Sequence, residues 1–208
     1  MAPILEEFKT RRLVMRKVSE AMIPGLVELY HLHAWELMKK RMLPACFEKA
    51  LEAGLVGHGS RGPSDAGSLI GPDNVREWIA LCNEYWDSED RYTWGMALRK
   101  NREKPVGVLQ FAAEDHDEKG KITRGGFSFW LGTQARRQGL MSEALQGAMK
   151  ILHRHGVRTA DIAILPDDRA CLRLARRLGF RKTPIESGSH LELMNVVVYS
   201  RKLALGRE

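Results

Sequence analysis

Two hydrophobic rhythms run along the chain, and the switches between them mark its elements. Arg12 to Val18 alternates apolar and basic residues, with Leu13 and Met15 on one side, the period-two pattern of an edge or half-buried strand. From Ser19 to about Arg41, Ile23, Leu26, Val27 and Tyr30 recur at helical spacing, and Ser19 suits the N-cap. Glycines crowd the stretch from Gly54 to Gly71, which reads as a long connecting loop. Asp73 can then cap a second helix carrying Val75, Trp78, Ile79 and Cys82. Tyr92–Leu98, Pro105–Ala113 and Thr123–Leu131 are strand-like runs separated by the charged segments RKNREK and EDHDEKGK, which predicts an antiparallel meander.

Beyond Ala135 the pattern becomes helix, strand, helix, strand. Met141, Ala144, Leu145, Ala148 and Leu152 line one face of a helix that Gly156 can end. Thr159–Leu165 is a short apolar strand. Asp168–Leu178 is a second helix with Cys171, Leu174, Ala175 and Leu178 on its stripe, and Gly179 fits the position after its end. Arg169, Arg173, Arg176 and Arg177 lie largely off that stripe. Met194–Tyr199 closes the sequence as a strand. The order predicts one mixed α/β sheet with helices on its faces, a single domain across the chain.

Composition leaves that fold unchanged: 208 residues with 44% hydrophobic and 28% charged side chains suit one globular domain. The net charge of +7 adds a condition, since it favours an anionic partner: a phosphorylated cofactor, nucleic acid, or an acidic surface. A merely solvating basic surface is the plain alternative. Cys46, Cys82 and Cys171 are widely spaced and odd in number, which argues against a disulfide framework or zinc site and for a reducing compartment. Neither a signal-like N-terminus nor a bilayer-length apolar run is visible, so a cytoplasmic protein without membrane attachment is expected.

The chemistry concentrates in Gln134–Ala144, where a strand ends, a turn of Arg, Gln and Gly follows, and a long helix begins. The first amides of a helix lack internal partners and its dipole favours anions there, so a diphosphate fits if the backbone can approach closely. Gly139 gives that closeness, Arg136 and Arg137 give charge, and Ser142 offers a hydroxyl. Neither a Walker loop nor GxGxxG is present. Glu114, Asp115, His116 and Asp117 cluster like metal ligands but read as a solvated turn, with no second cluster to match. His31 and His33, two apart on a helix, face different ways.

The run Arg136-Arg137-Gln138-Gly139-Leu140-Met141 resembles the acyl-CoA pyrophosphate loop, Q/R-x-x-G-x-G/A, of the Gcn5-related N-acetyltransferases (GNATs), with Met141 in place of a small residue. Other segments resemble the family's RimJ/RimL-like branch in order: Thr10–Arg16 its TERLxLR opening, Trp130-Leu131 its strand end, Ser142–Leu145 its TEAL helix start, Pro166–Phe180 its N-x-x-S…LEKLGF helix, and Val196–Tyr199 its last strand. Only residues from about Leu32 to Gly71 have no counterpart.

The resemblance implies a GNAT-like fold: a mostly antiparallel twisted sheet of about six to seven strands, flanked by helices and splayed at a cofactor cleft. It implies acetyl-CoA as co-substrate, no metal, and acetyl transfer to a primary amine by direct attack. Phe129, Trp130, Leu131, Arg136, Arg137, Gln138, Gly139, Leu140, Met141 and Ser142 would hold the cofactor. Cys171 stands where the branch has a serine near the thioester sulfur, and an inert core cysteine is the competing reading. The branch often has an acidic base before the final strand, where Glu186, His190 and Glu192 are available; His190 and Glu192 share a face if that segment is extended. The acceptor would be a ribosomal or other protein N-terminus or a small amine, and a homodimer is compatible with the family. Two rivals remain: a GNAT homologue that binds acyl-CoA without catalysis, and a basic ribosome- or RNA-associated module, for which no recognised nucleic-acid motif is present.

Overall fold

The two rhythms become a single sheet with helices on both faces. This computed structural model describes residues 4–39, 70–185 and 195–204. Its strands are β1 (Glu7–Lys9), β2 (Leu13–Lys17), β3 (Arg91–Leu98), β4 (Asn101–His116), β5 (Ile122–Leu131), β6 (Thr159–Ile164), β7 (Arg181–Thr183) and β8 (Val197–Lys202). The helices are α1 (Ile23–Lys39), α2 (Pro72–Asp87), α3 (Leu140–Arg154) and α4 (Arg169–Arg177). Among the described residues the strands form one sheet in the order β1-β2-β3-β4-β5-β6-β8-β7. The expected mixed, mostly antiparallel sheet is present. The additions to the expected strand count are β1 and β7, three-residue strands at the two edges, too short to show a period.

One junction breaks the antiparallel rule. β5 and β6 run parallel, joined by the α3 crossover, and pair only at Arg124↔Thr159, Gly125↔Ala160 and Gly126↔Asp161. Past Gly126 and Asp161 the strands part. β6 finds its next partner in β8, antiparallel from Thr159↔Lys202 to Ile164↔Val197. Among the described residues, 127–131 of β5 therefore keep β4 on one side and have no strand on the other.

Alternation sorts the meander's side chains. Trp94, Leu109 and Leu131 face the layer containing α3, whose Leu140, Met141, Ala144, Leu145, Ala148 and Leu152 are all buried. Val108 and Trp130 face the other layer, against Leu26 and Tyr30 of α1 and Val75, Trp78 and Ile79 of α2. Fully burying one such side chain stabilises by about 1.5–3 kcal/mol.

Local starts differ from expectation in two places. Ser19 does stand at the N-cap, but of a short 3-10 turn, Glu20–Met22, that leads into α1, and its side chain makes no capping bond. α2 begins two residues earlier than expected: Pro72 opens it after Gly71 at the N-cap, the Asn74 Oδ1 accepts from the Gly71 N–H at 2.8 Å, and Asp73 pairs with Arg76 instead. β4 is longer than its apolar core, running into both charged segments that flank it, with a bulge between Ala113 and Asp115.

Gly107 sits opposite Leu131 at the end of β5, and a Cβ there would press against the Trp130 carbonyl oxygen and Leu131. Rigid backbone cannot yield as a side-chain tip can. Gly107→Ala should therefore lose about 1–3 kcal/mol, read as a lower denaturation midpoint at unchanged m-value.

Candidate active site

The segment after β5 is built as a sharp turn held from two sides. A 3-10 turn, Thr133–Ala135, follows the strand, and the Arg136 Nε donates back to the Leu131 carbonyl at 2.8 Å. The backbone is then left-handed at Arg137 (φ 59°) and again at Gly139 (φ 74°), the N-cap of α3. Left-handed geometry costs a non-glycine residue about 1–2 kcal/mol, so the surroundings must hold Arg137 in place. Alternation of this kind turns successive amides toward one side and forms an anion-binding concavity at a helix start.

The outer hold comes from the β1–β2 turn, more than a hundred residues earlier in the sequence. The Arg12 guanidinium donates to the Gln138 carbonyl at 2.8 Å and, through Nε, to Glu143 Oε2 at 2.7 Å. The Thr10 hydroxyl and the Arg12 amide donate to Glu143 Oε1 at 2.5 and 2.6 Å. Burial alone would raise the Glu143 carboxyl, but the Thr10 hydroxyl, Arg12 amide and Arg12 guanidinium together outweigh it and keep its pKa low. The inner hold comes from α1. His33, 6% exposed, accepts the Thr133 N–H on Nε2 at 3.3 Å and lies edge-on to Trp130.

The loop opens on a cleft of about 510 Å³ walled by Phe129–Leu131, the Arg136–Ser142 turn and the start of α4. Arg136, Arg137, Arg173 and Arg177 all line it beside the positive end of α3. Arg177 reaches across to donate to the Ser142 hydroxyl at 2.6 Å, tying the two walls together. Asp168 caps α4 by accepting the Cys171 N–H at 3.0 Å, and half-buried Cys171 lines the same cleft. Open main chain along β5, convergent donors and positive charge fit an elongated thioester bearing a diphosphate, so these residues fit acetyl-CoA.

Most of the cofactor residues expected from the sequence share this cleft: Phe129, Trp130, Leu131, Arg136, Arg137, Gly139, Leu140, Met141 and Ser142. Met141 is 7% exposed and packs into the core beneath the helix, which accounts for a large residue where the motif usually has a small one. The Gln138 side chain lies in a neighbouring hollow of about 320 Å³ beneath α1, while its carbonyl belongs to the clamp. Glu186, His190 and Glu192 lie outside the described residues, as does the glycine-rich stretch up to residue 69. Among the described residues no group of three or more His, Cys, Asp or Glu could hold a metal ion, and no helix is long and apolar enough to cross a membrane.

A family model described as an acetyltransferase (GNAT) domain matches residues 64–181, more than half of the chain. The chain belongs to the GNAT family. Solved structures of the same fold include a RimL ribosomal L7/L12 alpha-N-protein acetyltransferase in complex with coenzyme A, with TM-score 0.70 and 19% identity over 95% of this chain and 98% of that one. The microcin C7 self-immunity acetyltransferase MccE, in complex with acetyl-CoA and AMP, superposes with TM-score 0.68 at 14% identity over 93% of each chain. Mycobacterium smegmatis RimJ, in complex with a CoA disulfide, does so with TM-score 0.67 at 10% identity over 97% of this chain and 90% of that one. No curated protein matches the sequence. Two further structures of the same fold are likewise described as ribosomal-protein acetyltransferases.

The Arg12 clamp and His33 were not predicted as site residues. Thr10–Arg16 and Ser142–Leu145 were each conspicuous as motif segments, yet only the fold shows that one grips the other. Because the folded Glu143 carboxyl titrates below its unfolded value, its contribution is fully present above about pH 4.3 and is lost as pH falls through the folded pKa. Glu143→Gln should thus be less stable than the wild type near neutrality by about 1–3 kcal/mol. That difference should close on acidification through about pH 4, which denaturant titrations at several pH values would measure.

Proposed function

We propose that this GNAT domain transfers the acetyl group of acetyl-CoA to a primary amine by direct attack, without a covalent enzyme intermediate. The observation that carries the reading is the convergence on one cleft of the α3 N-terminus, the Arg136–Gly139 turn, the open edge of β5 and Cys171. In the reaction the amine lone pair forms a C–N bond to the thioester carbonyl carbon, the C–S bond breaks, and the leaving thiolate takes a proton. The first amides of α3, with Arg137, Arg173 and Arg177, hold the diphosphate; unpaired main chain of β5 bonds the pantetheine arm and steadies the carbonyl oxygen. Cys171 is assigned the thiolate. Its thiol is a weaker donor than the serine of the branch but carries a more acidic proton.

The acceptor class is a protein N-terminus or a small-molecule amine. Ribosomal-protein acetyltransferases among the structural neighbours support the first, and the self-immunity acetyltransferase supports the second. His190 and Glu192 are the proposed sources of a base.

Four measurements test the reading. Acetyl-CoA should raise the melting temperature, and thiol release should depend on an added amine from a panel of small amines and N-terminal peptides. Arg177→Ala should weaken acetyl-CoA by roughly tenfold, the scale of one charge-assisted contact, measured calorimetrically. Cys171→Ala should lower kcat at unchanged acetyl-CoA affinity; full turnover in that variant would return Cys171 to a packing role.

A further inference from the structure

The cofactor cleft takes up only part of the basic surface that α4 presents. From Arg169 to Thr183 the chain has six basic residues and no acidic one: Arg169, Arg173, Arg176, Arg177, Arg181 and Lys182. All six are exposed. At 3.6 residues per turn, the four arginines of α4 fall within about 100° of one another. They lie opposite the stripe of Cys171, Leu174, Ala175 and Leu178 that packs into the core. Arg173 and Arg177 form one edge of this band and line the cleft, whereas Arg169 and Arg176 form the other edge and do not. Arg176 donates to the Tyr199 hydroxyl at 3.3 Å, and Lys182 stands opposite Tyr199 across the β7–β8 ladder. The band therefore passes from the outer edge of α4 onto β7, the last strand of the sheet, where Arg181 adjoins it.

Several surface cations elsewhere are matched by acids: Lys9 with Glu7, Lys17 with Glu6 and Asp87, Arg76 with Asp73, and Lys104 with Glu28. Among the described residues none of the six pairs with a carboxylate. Arg176 and Arg177 bond to hydroxyl groups, which leave their charge in place. Like charge gathered on one face repels itself unless an anion joins it.

The chemistry of the patch narrows the partner. Five of the six cations are guanidinium groups, whose planar fork matches phosphate. Among the described residues the exposed large hydrophobics are Leu5, Leu32 and Leu81, all on other elements, while Phe180 and Tyr199 are buried. The patch thus offers neither the apolar anchors of a protein interface nor rings on which unpaired bases could stack. Spread positive charge without anchors suits the backbone of a duplex, where contacts need only position and sign.

We propose that the outer edge of α4 and β7 bind the phosphodiester backbone of a nucleic-acid duplex through Arg169, Arg176, Arg181 and Lys182, while Arg173 and Arg177 stay with the cofactor. This binding is a second activity of the chain, separate from the chemistry of the cleft.

Fluorescence anisotropy of the full chain, saturated with acetyl-CoA so that the cleft is filled, tests it. The probes are a labelled RNA duplex, the DNA duplex of the same sequence, and poly-glutamate as a polyanion without phosphate. Both duplexes should bind, with log K falling against log salt at a slope of about −3 to −4, as four neutralised phosphates require. Tighter binding of RNA would assign the A-form helix, and equal binding the backbone charge alone. Arg176→Glu combined with Lys182→Glu should weaken duplex binding by at least about tenfold, at an unchanged melting shift by acetyl-CoA. Arg99→Glu combined with Lys100→Glu, an equal change of charge between β3 and β4, should bind as wild type. If Arg176→Glu disturbs the contact with Tyr199, Lys182→Glu alone, on the exposed edge strand, decides by the same readout. Duplex binding that is absent, that acetyl-CoA abolishes, or that survives reversal at Arg176 and Lys182 overturns the inference. So does an equal loss in the two double variants, and so does poly-glutamate binding as tight as that of the duplexes, which points to an acidic protein instead.

Discussion

The structure turns on where β5 and β6 stop pairing. Three residue pairs hold the two parallel strands together, and after Gly126 and Asp161 the ladder ends while β6 turns to β8. Backbone groups in a sheet must find partners or water. Among the described residues, 127–131 of β5 therefore have no strand partner on one side, in the middle of an otherwise continuous sheet and at the mouth of a cleft walled by α3 and α4. A flat, fully paired sheet of the same composition would have no such edge and no cleft.

An open edge is useful only if its neighbours stay put. The turn that follows it contains a left-handed non-glycine residue and is anchored by two distant elements. Arg12 and Thr10 bind α3's first turn and the Gln138 carbonyl from the sheet edge, and His33 binds the Thr133 amide from α1. The Arg12 bond holds the Gln138 carbonyl on the outer side of the turn. Ser142, at the start of α3, accepts from Arg177 and so couples the turn to α4. The cleft is thus positioned by four elements, and a fault in β1–β2 would be felt at the helix start.

Sequence was a good guide wherever a function resides in a contiguous segment. The Gln134–Ala144 turn, its glycine and the α3 stripe were legible because main-chain geometry and helical periodicity are written locally. The pairing of Thr10 and Arg12 with Glu143 was not, since two segments each readable alone carry no mark that they touch. The acidic run after Ala113 shows the limit more sharply. Glu114 and Asp115 read as part of a solvated turn, yet β4 extends through them, and a bulge sets both beside Arg124 of β5. Register and bulges are decided by pairing across the sheet, and no local pattern announces them.

The distribution of charge gives the architecture a chemical direction. The basic excess gathers in part where phosphates would bind, in Arg136, Arg137, Arg173 and Arg177 beside a helix N-terminus. Across the sheet, Arg124 pairs with Glu114, Asp115 and Asp161. Alternate residues of β5 point to opposite sides, so Arg124 lies across the sheet from the layer that holds α3. The period of two that first marked β5 as a strand is therefore also what sets Phe129 and Leu131 toward α3 and Trp130 toward α1 and α2.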